Sequence, residues 1–150
     1  MWEISDELYN KIREILPAGK TILEFGSGKG SKRLAEDYTV HSIEHDKDWV
    51  DKFKGVNYIH APIVDGWYDL SKDDLPEEYD LLLIDGPPGV IGREGFFDNL
   101  KLFNTGVPMI FDDVNRQRER WLMTKVHNSL KDDRVIKIFS SADKQFGVIE

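Results

Sequence analysis

Two spacings of apolar residues alternate along the chain. Leu8, Ile12, Ile15 and Leu16 recur at helical spacing, and Ser5 stands where it can cap that helix. Pro17-Ala18-Gly19 stops it. TILEF (21–25) is a short apolar run that ends at a glycine cluster, the pattern of a buried strand. Ser31 to Asp37 predicts a helix, and the alternating, β-branched YTVHSIE (38–44) a second strand. Asp46 to Lys54 predicts a short helix with Trp49, Val50 and Phe53 on one face. VNYIHAPI (56–63) predicts a third strand, and a turn-rich stretch follows.

YDLLLID (79–85) is the most apolar strand pattern and stops at GPPG. Arg93 to Phe103 predicts a helix, GVPMIFDD (106–113) a fifth strand, and Val114 to Leu130 a helix rich in Arg near its start. RVIKIFSS (134–141) and KQFGVIE (144–150) read as a terminal hairpin turning at Ala142-Asp143. Strand and helix in repeated alternation give parallel βαβ units with helices on both sheet faces. The fold expected is α/β: a doubly wound, mostly parallel sheet of seven strands with a C-terminal antiparallel hairpin. Ligands in such sheets bind beyond the carboxyl ends of the strands, so chemistry is sought there.

The first strand runs into Glu24-Phe25-Gly26-Ser27-Gly28-Lys29-Gly30. A phosphate-binding P-loop does not fit, because Gly19-Lys20-Thr21 precedes the strand and Glu14 occupies the required first glycine. A dinucleotide fingerprint is incomplete, because Ser31 stands at its third glycine. S-adenosylmethionine (SAM) fits an acidic approach better. It carries an amino group that Glu24 could hold, and no pyrophosphate for Glu24 to repel. A glycine-rich turn without a ligand is the plain alternative. The second strand ends at Glu44, eighteen residues after Gly26, where a carboxylate can accept from both ribose hydroxyls of SAM or NAD. His45 follows, placed to flank an adenine.

The fourth strand pattern ends Ile84-Asp85-Gly86-Pro87-Pro88-Gly89 and the fifth Phe111-Asp112-Asp113-Val114-Asn115-Arg116. Neighbouring parallel strands would bring three carboxylates together. They then need a cation, protonation or Arg partners. Oxygen ligands alone favour a hard ion such as Mg²⁺. The plain reading is that Asp112 or Asp113 caps the next helix. Arg93, Arg116, Arg118 and Arg120 read as a solvated face and partners of nearby acids, or, for Arg93 and Arg116, as binders of an anionic acceptor. Trp67, Tyr68, Phe96 and Phe97 either line an acceptor pocket or form local core.

Composition narrows the classes. The 150 residues carry 28 acidic and 20 basic side chains, a net charge of −8, which argues against phosphate-backbone binding. The absence of cysteine excludes disulfides, thiolate zinc sites and cysteine nucleophiles. The opening MWEISDELYNKIREIL has charges every few positions and no continuous apolar segment of the signal-peptide kind. No run approaches the ~20 apolar residues of a membrane span. A cytoplasmic chain without membrane or nucleic-acid partners is expected.

LEFGSGKG, VHSIEHD, VNYIHAPI, YDLLLIDGPPG and PMIFDDVNR follow one another as in the class I SAM-dependent methyltransferases, which residues 20 to 150 resemble. The resemblance implies a Rossmann-like seven-stranded sheet with its last strand antiparallel, and a single minimal methyltransferase domain over 1–150. It places Gly26, Ser27 and Gly28 at the methionine part of SAM and Glu44 at the ribose. His60-Ala61-Pro62 replaces an acidic residue often found after the third strand, so Ala61 would meet adenine through its backbone. The strand-end acids resemble those of metal-dependent O-methyltransferases of the macrocin type. Carried over, Asp85, Asp112 and Asp113 would hold Mg²⁺ to activate an acceptor hydroxyl, with Asp85 and Asp112 as the catalytic pair. IDGPPG is also similar to plant glucuronoxylan methyltransferases and to bacterial methyltransferases of carbohydrate pathways, implying a sugar, polyol or other small hydroxyl or glycan acceptor. DGPPG departs from the Asp-Pro-Pro-aromatic motif of DNA amino-methyltransferases, since Gly89 stands where the aromatic would stack a flipped base.

The chain lacks the long N-terminal lid of many relatives, so acceptor selection would fall to short loops, a partner chain or a large acceptor. A non-catalytic SAM- or nucleotide-binding module serving a partner subunit is the alternative, and a nicotinamide oxidoreductase a weaker one. Assembly into a homo-oligomer is left open.

Overall fold

The structure is a computed structural model that describes residues 4–150. The first three residues of the opening segment, read above as free of a signal peptide, lie outside them. Helix α1 (Asp6–Ile15) starts where Ser5 Oγ accepts from the Leu8 N–H at 3.2 Å, and it buries Leu8, Tyr9 and Ile12. An N-terminal cap of this kind contributes about 1 kcal/mol. Ser5→Ala is therefore expected to lower stability by about that amount, read as a lower urea midpoint at unchanged slope. An unmoved midpoint would show that the cap contributes nothing.

Strands β1 (Thr21–Phe25), β2 (Thr39–Glu44) and β3 (Asn57–His60) alternate with helix α2 (Lys29–Leu34) and turns. A two-stranded ribbon, β4 (Ile63–Val64) and β5 (Trp67–Tyr68), precedes β6 (Leu81–Ile84). Then come helix α3 (Gly95–Asp98), β7 (Met109–Phe111), helix α4 (Gln117–Leu130), β8 (Ile136–Ser141) and β9 (Lys144–Ile149). The sheet order is β3-β2-β1-β6-β7-β9-β8. Within this sheet all pairings are parallel except those of β9, which runs antiparallel to both β7 and β8. This is the doubly wound, seven-stranded sheet with a C-terminal hairpin expected from the sequence. Among the described residues no helix is long and apolar enough to cross a membrane.

The strand period of two sends alternate residues to opposite faces. Leu82 and Ile84 of β6 join one core with Phe25, Trp67, Phe96, Phe111 and Leu122. Leu81 and Leu83 join the other with Leu8, Ile12, Leu34 and Ile110. Both faces of the sheet are thus covered, as the uninterrupted apolar run of β6 requires.

Three local expectations are corrected. Asp46 to Lys54 forms turns instead of a helix, because Asp51 takes a left-handed φ of 62° and breaks the helical path. Arg93 to Phe103 divides into α3 and a 3₁₀ turn at Leu100–Leu102. The last helix starts at Gln117 and not Val114, because Asp113 has φ 61° and the Val114 N–H is taken by the Gln145 carbonyl across the sheet.

Candidate functional site

Two strand ends are drawn together at a glycine contact. Gly26 has φ 88°, and a Cβ built there would lie 2.8 Å from the Asp85 carbonyl oxygen. The Asp85 N–H donates to the Phe25 carbonyl at 3.1 Å. Only glycine permits this close passage of β1 past the end of β6. The cavity that opens beside it is lined by Glu24, Gly26, Ser27, Gly28, Glu44, His45 and Asp85, together with Ser31, Asp46, Trp49, Tyr68 and Gly86 among others. Seven of the sequence-predicted residues therefore share one cavity. Ala61 is buried outside its lining, with its N–H committed to the Glu44 carbonyl at 2.9 Å.

Glu24 is 1% exposed. Its Oε1 accepts from Ser42 Oγ at 2.8 Å and from Ser31 Oγ. Burial pushes its carboxyl up to about 7 against those two hydroxyl donors, with Glu44 adding to the rise. Glu44 accepts from the Ser27 N–H at 2.9 Å and from the Asp46 N–H at 2.8 Å, which fixes its orientation at the cavity edge. His45 Nδ1 lies 3.2 Å from Glu44 Oε2. Four lining residues are acidic, and among the described residues no Lys or Arg lines this cavity. Such a lining suits a ligand with positive charge and disfavours a pyrophosphate.

Tyr68, left open between pocket and core by the sequence, belongs to both. Its ring packs against Phe25 and Trp67, with centroids 6.1 and 5.0 Å apart, so most of the side chain is core. It lines the cavity, and its buried hydroxyl has no hydrogen-bond partner among the described residues. Burial, with Glu44 next, raises its phenol well above the ordinary range, so it remains a donor at neutral pH. A buried donor without a partner is costly, and a ligand acceptor in the cavity would satisfy it. The signal was local only in part: Trp67-Tyr68 follows a turn at Gly66 (φ 81°), the mark of a tight ribbon. Trp67 and Phe96 are core residues and not an acceptor platform.

Asp85, Asp112 and Asp113 do converge: one oxygen from each lies within 4.8 Å of the others. Neither Asp112 nor Asp113 caps α4, whose N-cap is Arg116. The partners are cations from the chain itself. Arg93 is 4% exposed, which corrects its reading as part of a solvated face. Its guanidinium donates to the Pro87, Asp112 and Asp85 carbonyls at 3.0, 3.3 and 3.3 Å, and to Asp113 Oδ2 at 3.1 Å. Lys144, not singled out from the sequence, lies 3.1 Å from Asp112 Oδ2 and 3.4 Å from Asp113 Oδ1. Arg116 lies 3.7 Å from Asp113 Oδ2. Arg118 pairs with Glu94 at the exposed rim, and Arg120 donates to the Val114 carbonyl.

Burial pushes the Asp113 carboxyl up, but Arg93, Lys144 and Arg116 outweigh it and hold it below the ordinary range. Burial lowers the Lys144 ammonium, and Asp112 and Asp113 more than offset this. Asp85 goes the other way: burial and then Asp112 raise its carboxyl well above the ordinary range, against Arg93. For a divalent ion the donor set fits poorly. Both Asp113 oxygens face side-chain cations, and Asp112 accepts from the Asp113 N–H at Oδ1 and faces Lys144 at Oδ2. Asp112 Oδ1 faces a backbone N–H and no cation, and the nearest cation to an Asp85 oxygen is Arg93 at 3.8 Å.

No protein-family profile matches the sequence, and no curated protein matches it. Solved structures do match in fold. The methyltransferase from Pyrococcus furiosus superposes with a TM-score of 0.65 at 16% identity, over 95% of this chain and 80% of that one. The O-methyltransferase from Bacillus cereus, solved in complex with S-adenosylhomocysteine, gives 0.61 at 15% identity, over 99% and 82%. A chain of the E. cuniculi Mtq2–Trm112 complex, responsible for methylation of the eRF1 termination factor, gives 0.55 at 16% identity, over 99% and 95%. The chain has the fold of the class I SAM-dependent methyltransferases.

Proposed function

We propose that this protein is a SAM-dependent methyltransferase acting on a hydroxyl of a sugar, polyol or other small acceptor. The observation that carries the reading is the acidic cavity at the β1 and β2 ends, with the Gly26 turn giving backbone access to it. SAM, when bound, supplies a sulfonium methyl group open to displacement. Glu24 would hold the cationic amino group, Glu44 the ribose hydroxyls, and Ser27 and Gly28 the neighbouring backbone contacts. His45 would flank the adenine. The buried phenol of Tyr68 adds one fixed donor to this wall.

The reaction forms a bond from the acceptor oxygen to the methyl carbon as the carbon–sulfur bond breaks, its electron pair staying on sulfur. The hydroxyl proton goes to Asp85, which lines the cavity and belongs to the carboxylate cluster as well. Asp112 would support it through the shared cluster. The rest of the rate comes from holding acceptor and methyl in line. Mg²⁺ has no step in this reading, because three of the candidate oxygens, both of Asp113 and Oδ2 of Asp112, already face Arg93 and Lys144. A polar acceptor is supported by the burial of Trp67 and Phe96, which are not free to stack on a phenol.

Calorimetric titration with SAM, S-adenosylhomocysteine and NAD tests the binding part. The first two are expected to bind and NAD to give no heat; binding of NAD alone would overturn the reading. Transfer of label from methyl-labelled SAM to a panel of polyols, glycans and phenols tests the chemistry. SAM binding without transfer to any hydroxyl, or transfer to phenols only, would count against the acceptor assignment.

A further inference from the structure

We infer that Arg93 and Lys144 take the place of a divalent ion beside Asp85, Asp112 and Asp113, and that the Lys144 ammonium keeps such an ion out. The inference stands apart from the proposed reaction, since it concerns only what neutralises the carboxylates.

Three carboxylates meet within one cluster, and three cations, on Arg93, Lys144 and Arg116, face it at 3.1 to 3.8 Å. With every carboxyl ionised the formal sum is zero, and a proton on Asp85 leaves it positive. A divalent ion added here would meet a guanidinium and an ammonium at close range, with nothing left to neutralise. The two principal cations differ in what they can yield. Arg93 is buried, and three backbone carbonyls hold its guanidinium besides Asp113, so it cannot swing aside. Lys144 enters from the first position of β9, is a third exposed, and has a flexible stem. Its backbone is pinned beside the cluster, because the next residue, Gln145, accepts the Val114 N–H at 2.9 Å. Lys144 is therefore the side chain whose removal frees carboxylate oxygens without dismantling the strand ends. It acts as a positioning residue: it holds Asp112 and Asp113 in place from outside the cavity lining.

The test uses Mn²⁺ alone, followed by loss of the free-ion electron spin resonance signal. Wild-type protein is compared with Lys144→Met and Lys144→Gln, the second keeping a hydrogen-bonding side chain if the first folds poorly. The folded variants are expected to bind Mn²⁺ about tenfold more tightly than wild type or better. Mn²⁺ is expected to raise the melting temperature of the variants and to leave that of wild type unmoved. Wild-type binding as tight as that of the variants would overturn the inference. So would the absence of binding to any of the three, because the carboxylates would then not form a cation cage that Lys144 fills. Neither result bears on whether SAM binds.

Discussion

Asp85→Asn is expected to lower methyl transfer by about 10²- to 10⁴-fold while changing SAM affinity by less than about tenfold. Asp85 is the one carboxylate that both lines the cavity and belongs to the cation-bound cluster. Its side chain is a quarter exposed, so an acceptor can reach it. Burial and the neighbouring Asp112 make it a stronger base than an ordinary carboxylate, a property suited to taking a proton from a hydroxyl. Asn keeps the shape and one acceptor oxygen but takes up no proton. The measurement is initial transfer of labelled methyl to the identified acceptor, beside calorimetric binding of SAM. Stability serves as the control. The unliganded variant should melt no lower than wild type, because Asn removes a like charge beside Asp112. Transfer at the wild-type rate would remove Asp85 from the role of base, and a parallel loss of SAM binding would make it a binding residue instead.

Glu24→Gln is expected to move stability and affinity in opposite directions, both with a pH signature. In the folded protein Glu24 titrates at about 7 against an ordinary 4.5. The fold therefore disfavours its charged form, and wild-type stability falls as pH rises from about 4.5 to about 7, by up to about 3 kcal/mol from this group. Gln keeps an acceptor for Ser31 and Ser42 and carries no charge. The variant should match wild type near pH 4.5 and exceed it by up to about 3 kcal/mol at pH 8, read from urea midpoints. SAM affinity should behave conversely. In wild type it rises with pH through about 7 as Glu24 ionises to meet the ammonium group. In the variant this rise is absent, and affinity at pH 8 drops by about ten- to a hundredfold. A variant that binds SAM as well as wild type at pH 8 would take Glu24 out of the cofactor site. A stability difference that does not grow with pH would show that Glu24 is not held in an unfavourable charged state.

The fold was largely legible because its evidence is local. β6 declares itself by four consecutive buried residues, and β1 by an apolar run ending in a glycine turn. The cavity was legible for the same reason: Glu24, Gly26, Ser27, Gly28 and Glu44 lie at strand ends that the pattern locates. What stayed hidden depends on distant pairings. Lys144 meets Asp112 across 32 residues of sequence, and nothing near Lys144 separates it from any strand-edge lysine. Arg93 looks like a surface cation until the carbonyls of Pro87, Asp85 and Asp112 surround it. The helix predicted over Asp46 to Lys54 failed for a different reason. Its apolar spacing is helical, but Trp49 turns to the cavity wall and Asp51 adopts the left-handed conformation.

β9 is the last strand in sequence among the described residues, yet it occupies an interior position between β7 and β8. Until residues 144–149 are in place, β7 presents an apolar unpaired edge, and Asp112 and Asp113 lack the Lys144 ammonium. A growing polypeptide would thus pair five strands, with β8 made but unpaired, before it could close the sheet or balance the charge at its rim. Assembly of the carboxylate cluster is thereby made a late event in synthesis. A ribosome-stalled chain ending before residue 144 should expose a sticky β7 edge, remain open to chaperones and proteases, and gain protection only once β9 emerges.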